Sequence, residues 1–105
     1  MLVSKEKFMD WLKREDYKDW TESGYPSTIF QYIRSIESVM KKEAIETFSD
    51  LTQHIQLLIR KYGPYGPMKE YGSTGHNTVI NALKRFMDFL INEYDFKPSK
   101  KMYFV

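Results

Sequence analysis

Hydrophobic residues recur along this chain at spacings of three and four, the period of an amphipathic α-helix. Four helices are predicted: one over 5–16, one over 26–42, one from Thr47 or Ser49 to residue 62, and one from Ser73 or Thr74 to about residue 94. No segment alternates as a strand between hairpin turns. The predicted fold class is therefore all-α, a compact orthogonal or bundled four-helix domain.

Helix-end signals support these boundaries. Ser4 is a good N-cap for the first helix, and Val3 and Phe8 occupy the two positions of a hydrophobic staple. Gly63 follows the third helix, where a left-handed C-cap is expected, and Pro64 prevents the helix from continuing. Since both ends of a helix leave backbone groups without partners, such residues mark where helices begin and end.

The apolar stripes of the four helices predict the core. They consist of Phe8, Trp11 and Leu12; Ile29, Ile33, Ile36 and Met40, with Tyr32 and Val39 beside them; Leu51, Ile55, Leu58, Ile59 and Tyr62; and Val79, Ala82, Leu83, Phe86, Phe89 and Leu90. The last stripe is the longest and most regular, so we expect its helix to organise the packing of the others.

Two segments fall outside the helical pattern. Residues 63–75 contain six Gly or Pro among 13 residues, so an irregular loop without helix is predicted there. Residues 95–105 are basic and are interrupted by Pro98. The predicted organisation is a four-helix domain over 1–94, followed by a tail or linker over 95–105.

Composition excludes most catalytic chemistry. The 105 residues include no Cys and only two His, His54 and His76, and no known nucleotide-loop or metal-binding motif occurs. We therefore expect no enzyme, no metal and no cofactor. No long apolar run predicts a membrane span, and the charged N-terminal residues do not resemble a signal peptide, so a cytoplasmic protein is expected.

Charge adds one positive indication. The net charge is only +2, but residues 59–105 hold eight basic and four acidic side chains. Most basic pairs fall near predicted helix ends, where the helix dipole explains them. Lys84 and Arg85 instead lie in mid-helix, and Asn77, Asn81 and Lys84 follow one flank. Such a flank suits phosphates and base edges, although a solvated helix face is an equally good interpretation.

Trp20, Tyr65 and Tyr71 lie outside the apolar stripes, and Tyr62 lies at the end of one. All four have the chemistry to stack on nucleobases. Aromatic residues in and around loops more often anchor the loop to the core, and we predict that role here.

Three segments of the chain resemble the N-terminal core-binding, SAM-like domain of tyrosine recombinases and phage integrases. They are FMDWL at 8–12, STIFQYIRSI at 27–36 and NTVINALKRFMDFL at 77–90. The resemblance spans roughly residues 5–92 and consists mainly of core positions and helix starts. It implies a SAM-like four-helix fold that forms half of a clamp around duplex DNA.

The resemblance also implies a set of DNA-contacting residues on the second and fourth helices. These are Ser27, Thr28, Gln31 and Arg34 on the second, and His76, Asn77, Asn81, Lys84 and Arg85 on the fourth. The sequence contains no His-x-x-Arg, which the catalytic domain of these recombinases requires. The expected function is therefore non-catalytic binding of double-stranded DNA, weak or dependent on context, with a catalytic recombinase domain or another protein as a further partner.

A third hypothesis is a small regulatory protein of mobile-element origin that acts by blocking a partner. The main alternative is a helical protein–protein interaction or self-association module that binds no nucleic acid. It predicts an exposed apolar patch formed by Tyr62, Tyr65, Met68 and Tyr71. The DNA hypothesis instead predicts a continuous positive face on the second and fourth helices.

Overall fold

A computed structural model describes residues 2–15 and 28–98 of the chain. The described residues form five α-helices, α1 to α5 in chain order, and no strand. Their bounds are Lys5–Arg14, Thr28–Glu43, Phe48–Tyr62, Lys69–Gly72 and Thr74–Tyr94. The all-helical class is confirmed, and the four predicted helices correspond to α1, α2, α3 and α5.

The N-caps of α1 and α3 form as their sequences predict. The Ser4 side chain accepts a hydrogen bond from the Lys7 amide, and Thr47 does the same for Asp50. Thr47 rather than Ser49 is therefore the cap of α3. The Ser49 hydroxyl instead lies 3.3 Å from both the backbone nitrogen and the carbonyl oxygen of Val3, which ties α3 to the segment before α1.

The core centres on a set of ring contacts that we call the aromatic cluster, formed by Phe8, Trp11, Phe48, Phe86 and Phe89. The Phe86 ring centroid lies 5.2 Å from that of Phe8 and 5.8 Å from that of Phe48, both with edge-to-face geometry. Every residue of the predicted stripes is buried except Tyr32 and Ile59, which are partly buried. The helical period in the sequence therefore identified the buried faces correctly.

Helix α5 is the central element, since α2, α3, α4 and α1 all pack against it. The C-terminal end of α2 is fixed to the region around α4. Ser38 and Tyr71 share a short hydrogen bond between hydroxyl groups, and the Lys42 ammonium lies 4.5 Å from the centroid of the Tyr71 ring. At the other end of α5, Arg14 of α1 forms an ion pair with Glu93.

The Gly/Pro segment differs from its prediction. Residues 69–72 form the short helix α4, although no helix was expected. Gly72 lets α4 approach the end of α3 closely, because a Cβ at this position would lie 1.8 Å from the Tyr62 carbonyl oxygen. The glycine of this segment therefore permits close helix packing as well as turns.

Two predicted helix signals in this segment are wrong. Gly63 is extended, with φ −80° and ψ −177°, and is not a left-handed cap. Ser73 does not cap α5 with its side chain, because its hydroxyl donates to the Glu70 carbonyl oxygen. Gly75, His76 and Asn77 have φ between 59° and 69°, so the regular right-handed part of α5 begins at Thr78.

Helix α5 ends at Tyr94, as predicted, and Asp95 takes a left-handed conformation at its C-cap. The next residue, Phe96, is partly buried against the core. No helix among the described residues is both long enough and apolar enough to cross a membrane.

Candidate functional site

Two hollows open side by side between the C-terminal end of α3, the 63–75 segment and α5. The first has a volume of about 400 Å³ and the second about 440 Å³. They share Gly63, Pro64 and Lys84, so Lys84 stands where the two meet. We call the pair the basic groove, defined by its polar lining of Arg60, Lys69, Asn77, Asn81, Lys84 and Arg85.

The loop after α3 shapes one wall of the basic groove. Gly63 and Pro64 end α3, and the chain then turns back over that end, with the Met68 amide donating to the Lys61 carbonyl oxygen at 2.9 Å. Gly66 allows this turn, since a Cβ there would lie 2.1 Å from the same oxygen. The fold-back satisfies a carbonyl left open at the helix end and places Lys69 at the second hollow.

The left-handed turn at the start of α5 shapes the opposite wall. Asn77 lies in that turn, with φ 69°, a conformation that Asn tolerates better than most residues. The Thr78 hydroxyl makes a short hydrogen bond to the Gly75 carbonyl oxygen within the turn. Asn77 therefore reaches the second hollow from outside the regular helix, and Asn81 and Lys84 reach it from the helix itself.

The cations of the basic groove differ in how they are paired. Arg85 forms an ion pair with Asp88. Arg60, Lys69 and Lys84 form no ion pair with any residue in the described ranges 2–15 and 28–98. Four basic and two acidic side chains line the two hollows. The site thus presents uncompensated positive charge toward solvent, which attracts anions.

Beside the groove, Lys61 turns away from it toward Glu43 at the end of α2. The Lys61 ammonium lies 2.9 Å from one Glu43 carboxylate oxygen, and the Tyr62 hydroxyl donates to the same carboxylate at 2.8 Å. Burial by itself would raise the pKa of Glu43, but these two hydrogen bonds outweigh it and the pKa is lowered. Burial, and then the bond to Glu43, raise the pKa of Tyr62.

These two pKa shifts both move away from neutral pH. Glu43 is held ionised and Tyr62 is held protonated, so neither is prepared to exchange a proton near pH 7. The arrangement joins the ends of α2 and α3 and directs Lys61 out of the groove. Its chemistry is that of a structural clamp.

The structure brings together four of the nine residues predicted to contact DNA. Asn77, Asn81, Lys84 and Arg85 line the basic groove. His76 is exposed beside it but lines neither hollow. Ser27 lies outside the described residues.

The predicted contacts on α2 do not join this group. Thr28, Gln31 and Arg34 are exposed, but no α2 residue lines either hollow. The last turns of α2, around Ser38, contact α4, and Thr28 lies about 15 Å further along the helix axis at 1.5 Å per residue. The structure therefore does not bring the two predicted groups into one groove.

Sequence reasoning missed three features of the site. Arg60 was explained by its position near a helix end, and Lys69 lies in a segment predicted to be irregular. Tyr65 was expected to anchor the loop, but it is 88% exposed, whereas Tyr62 and Tyr71 do pack onto the core. The available signal was the spacing of basic and aromatic residues through 60–69, between two confident helices.

The patch predicted by the interaction hypothesis does not form as expected. Tyr62 is only 1% exposed, and Met68 and Tyr71 are partly buried against the core. Tyr65 alone of the four is fully available. No group of three or more His, Cys, Asp or Glu residues able to hold a metal ion occurs in the part of the chain that the structure describes.

In comparisons with known proteins, no protein-family model, no curated protein and no solved structure matches this chain. The function is therefore argued from the geometry and charge of the basic groove.

Proposed function

We propose that this domain is a non-catalytic DNA-binding module that holds the sugar–phosphate backbone of duplex DNA in its basic groove. The observation that carries the proposal is that Arg60, Lys69 and Lys84 surround one groove without carboxylate partners. Asn77 and Asn81 stand between the cations and offer amide donors. Phosphate oxygens are the usual acceptors for this combination of side chains.

The proposal includes a SAM-like fold of the recombinase core-binding type, which the three resembling segments support. In this interpretation the domain is cytoplasmic and acts with a catalytic recombinase domain or another protein partner. The proposed DNA-binding surface is redefined, however, because residues of α3 and α4, and none of α2, line the basic groove beside α5. Few unpaired cations imply modest affinity and a shallow dependence on salt.

The alternative is a self-association or protein-interaction module. The exposed side chains of Leu57 and Tyr65 border a common depression beside α3 and supply some apolar surface for it. Tyr62 is buried, and Met68 and Tyr71 are partly buried, so of the four residues on which that hypothesis depended only Tyr65 is largely exposed. DNA binding is therefore the function that the charge distribution favours.

A salt titration of duplex binding tests the proposal. Lys84→Gln and Arg60→Gln should each weaken binding of a duplex of arbitrary sequence and lower the slope of log K against log salt by about one. The matched control is Lys5→Gln, since Lys5 is paired with Glu37 at 3.3 Å and lies outside the groove. Fluorescence anisotropy with a labelled duplex measures both effects.

Two results would contradict the proposal. One is an absence of duplex binding even at low salt. The other is an equal loss for Lys5→Gln and Lys84→Gln, which would mean that diffuse charge rather than the groove binds the DNA. Circular dichroism of each variant confirms that the fold is retained.

A further inference from the structure

The first hollow of the basic groove has features that binding of a phosphate backbone does not require. Ile59, Pro64 and Met87 contribute an apolar lining, and Arg60 and Lys84 stand among them. Its volume of about 400 Å³ falls within the range of small-molecule sites. A site for phosphate alone would need only the cations, so the apolar wall indicates a ligand with an apolar part.

Tyr65 adds an aromatic surface to this hollow. Its side chain is 88% exposed, although the residue lines the hollow. The surrounding backbone is fixed, because the Gly66 amide donates to the Gly63 carbonyl oxygen at 3.1 Å and the Met68 amide reaches back to α3. Because the loop backbone is already fixed, binding of a ligand to the exposed ring would require little further ordering of the backbone. A flat aromatic ring of the ligand could stack on the ring of Tyr65.

The second hollow shows how such a ligand would continue. Besides Lys84, which both hollows share, the second hollow is lined by Asn81, Asn77 and Lys69, and also by the acidic Glu70. The ligand would therefore carry a flat ring in the first hollow and a chain of negative charge along the second. A nucleotide within a nucleic-acid strand has this composition, with an aromatic base joined to a repeating phosphate.

An acidic peptide with one aromatic side chain also offers a ring and negative charge. Its carboxylates, however, lie on mobile side chains, whereas phosphates follow one another at fixed intervals along a strand. The run of amide and ammonium groups in the second hollow suits the strand better.

We propose that the first hollow is a base pocket that takes one unpaired nucleobase, while the adjoining hollow holds the phosphates next to it. This inference rests on the proposed function and adds a substrate class to it, namely DNA with an unpaired base at a bulge, end or junction. The pocket recognises an unpaired base and does not distinguish one DNA sequence from another.

The test compares two labelled duplexes that differ by one central unpaired adenine. The bulged duplex should bind roughly tenfold more tightly than the intact one, the scale expected for one stacked base. A third duplex with an abasic bulge of the same geometry should lose this gain. The abasic arm separates recognition of the base from recognition of the bend in the DNA.

Protein variants locate the effect. Tyr65→Ala should remove the gain, so that this variant binds the bulged and the intact duplex equally, and Tyr65→Phe should keep the gain because the ring remains. Tyr65 is largely exposed, so neither change should disturb folding. Retention of the full gain in Tyr65→Ala would overturn the base pocket.

The remaining outcomes separate this inference from the proposed function. Equal binding of bulged and intact duplexes would overturn the base pocket and leave the proposed function standing. If no duplex binds, the proposed function fails, and titration with deoxyadenosine monophosphate then decides the pocket. NMR shifts at Ile59, Tyr65 and Met87 would support it. Their absence, or tighter binding of an acidic phenylalanine-containing peptide, would overturn it.

Discussion

The aromatic cluster and the basic groove lie on opposite sides of α5, and they differ in burial and in charge. In the aromatic cluster, Phe86 of α5 is fully buried among rings from α1 and α3. Two residues earlier, Lys84 faces an open hollow without an ion-pair partner among the described residues. One side of α5 removes apolar area from water, and the other leaves charge uncompensated.

The ion pairs show the same division. Lys5 with Glu37 and Arg14 with Glu93 lie outside the groove and neutralise each other in pairs. In the groove, Arg85 is paired with Asp88, whereas Arg60, Lys69 and Lys84 form no ion pair among the described residues. Because surface ion pairs contribute little to stability, leaving these three cations unpaired costs little, and their field still attracts an anion. Different residues therefore stabilise the fold and provide the proposed binding surface.

The largest expected effect comes from removing a ring of the aromatic cluster. Phe86→Ala should lower the free energy of unfolding by about 3–5 kcal/mol, because it leaves a cavity among fully buried side chains. The matched change in the groove, Tyr65→Ala, should alter it by no more than about 0.5 kcal/mol. Urea denaturation followed by circular dichroism measures both. A similar loss of unfolding free energy in the two variants would contradict the view that the aromatic cluster stabilises the fold and the groove does not.

An intermediate effect is expected where the wall of the groove meets the core. Gly72→Ala should lower the free energy of unfolding by about 1–3 kcal/mol, since the added Cβ would overlap the Tyr62 carbonyl oxygen and force α4 away from α3. Lys69→Ala, at an exposed position of the same short helix, is the stability control and should be near neutral. A stable Gly72→Ala variant would show that α4 is not held tightly against α3.

The smallest effect concerns the clamp between α2 and α3. Glu43→Gln should lower the free energy of unfolding by about 1–2 kcal/mol at neutral pH, since the ion pair with Lys61 is lost and the bond from Tyr62 is weakened. Urea denaturation at a series of pH values measures this contribution.

The pH dependence has a defined sign. The folded-state pKa of Glu43 is lowered, so its stabilisation is fully present above the unfolded value of about 4.3 and is lost as the pH falls through the lower folded value. The stability curves of the wild type and Glu43→Gln should therefore converge in acid. A constant difference down to about pH 2 would show that the ionised carboxylate is not the stabilising species.

The fourth-helix residues of the candidate site were predictable, and their surroundings were not. Asn77, Asn81 and Lys84 are spaced along the sequence so that they fall on one flank of a helix. All three line the second hollow, although Asn77 lies in a left-handed turn. The predicted second-helix residues do not line the groove, because local spacing along the sequence does not specify which flank of α2 lies beside α5. Arg60 lines the groove because α3 packs beside α5, which the sequence did not predict.

The sequence by itself determined the four longer helices and their buried faces, because both depend on local spacing, whereas the short helix α4 was not predicted. An apolar stripe with a helical period is buried against neighbouring elements of the fold. The side chains of Ser4 and Thr47 cap the helices that follow them. The tertiary structure decided which helices became neighbours and which cations remained unpaired. Lys61 forms an ion pair with Glu43, whereas Arg60 lines the first hollow, because adjacent residues point in different directions around the axis of α3.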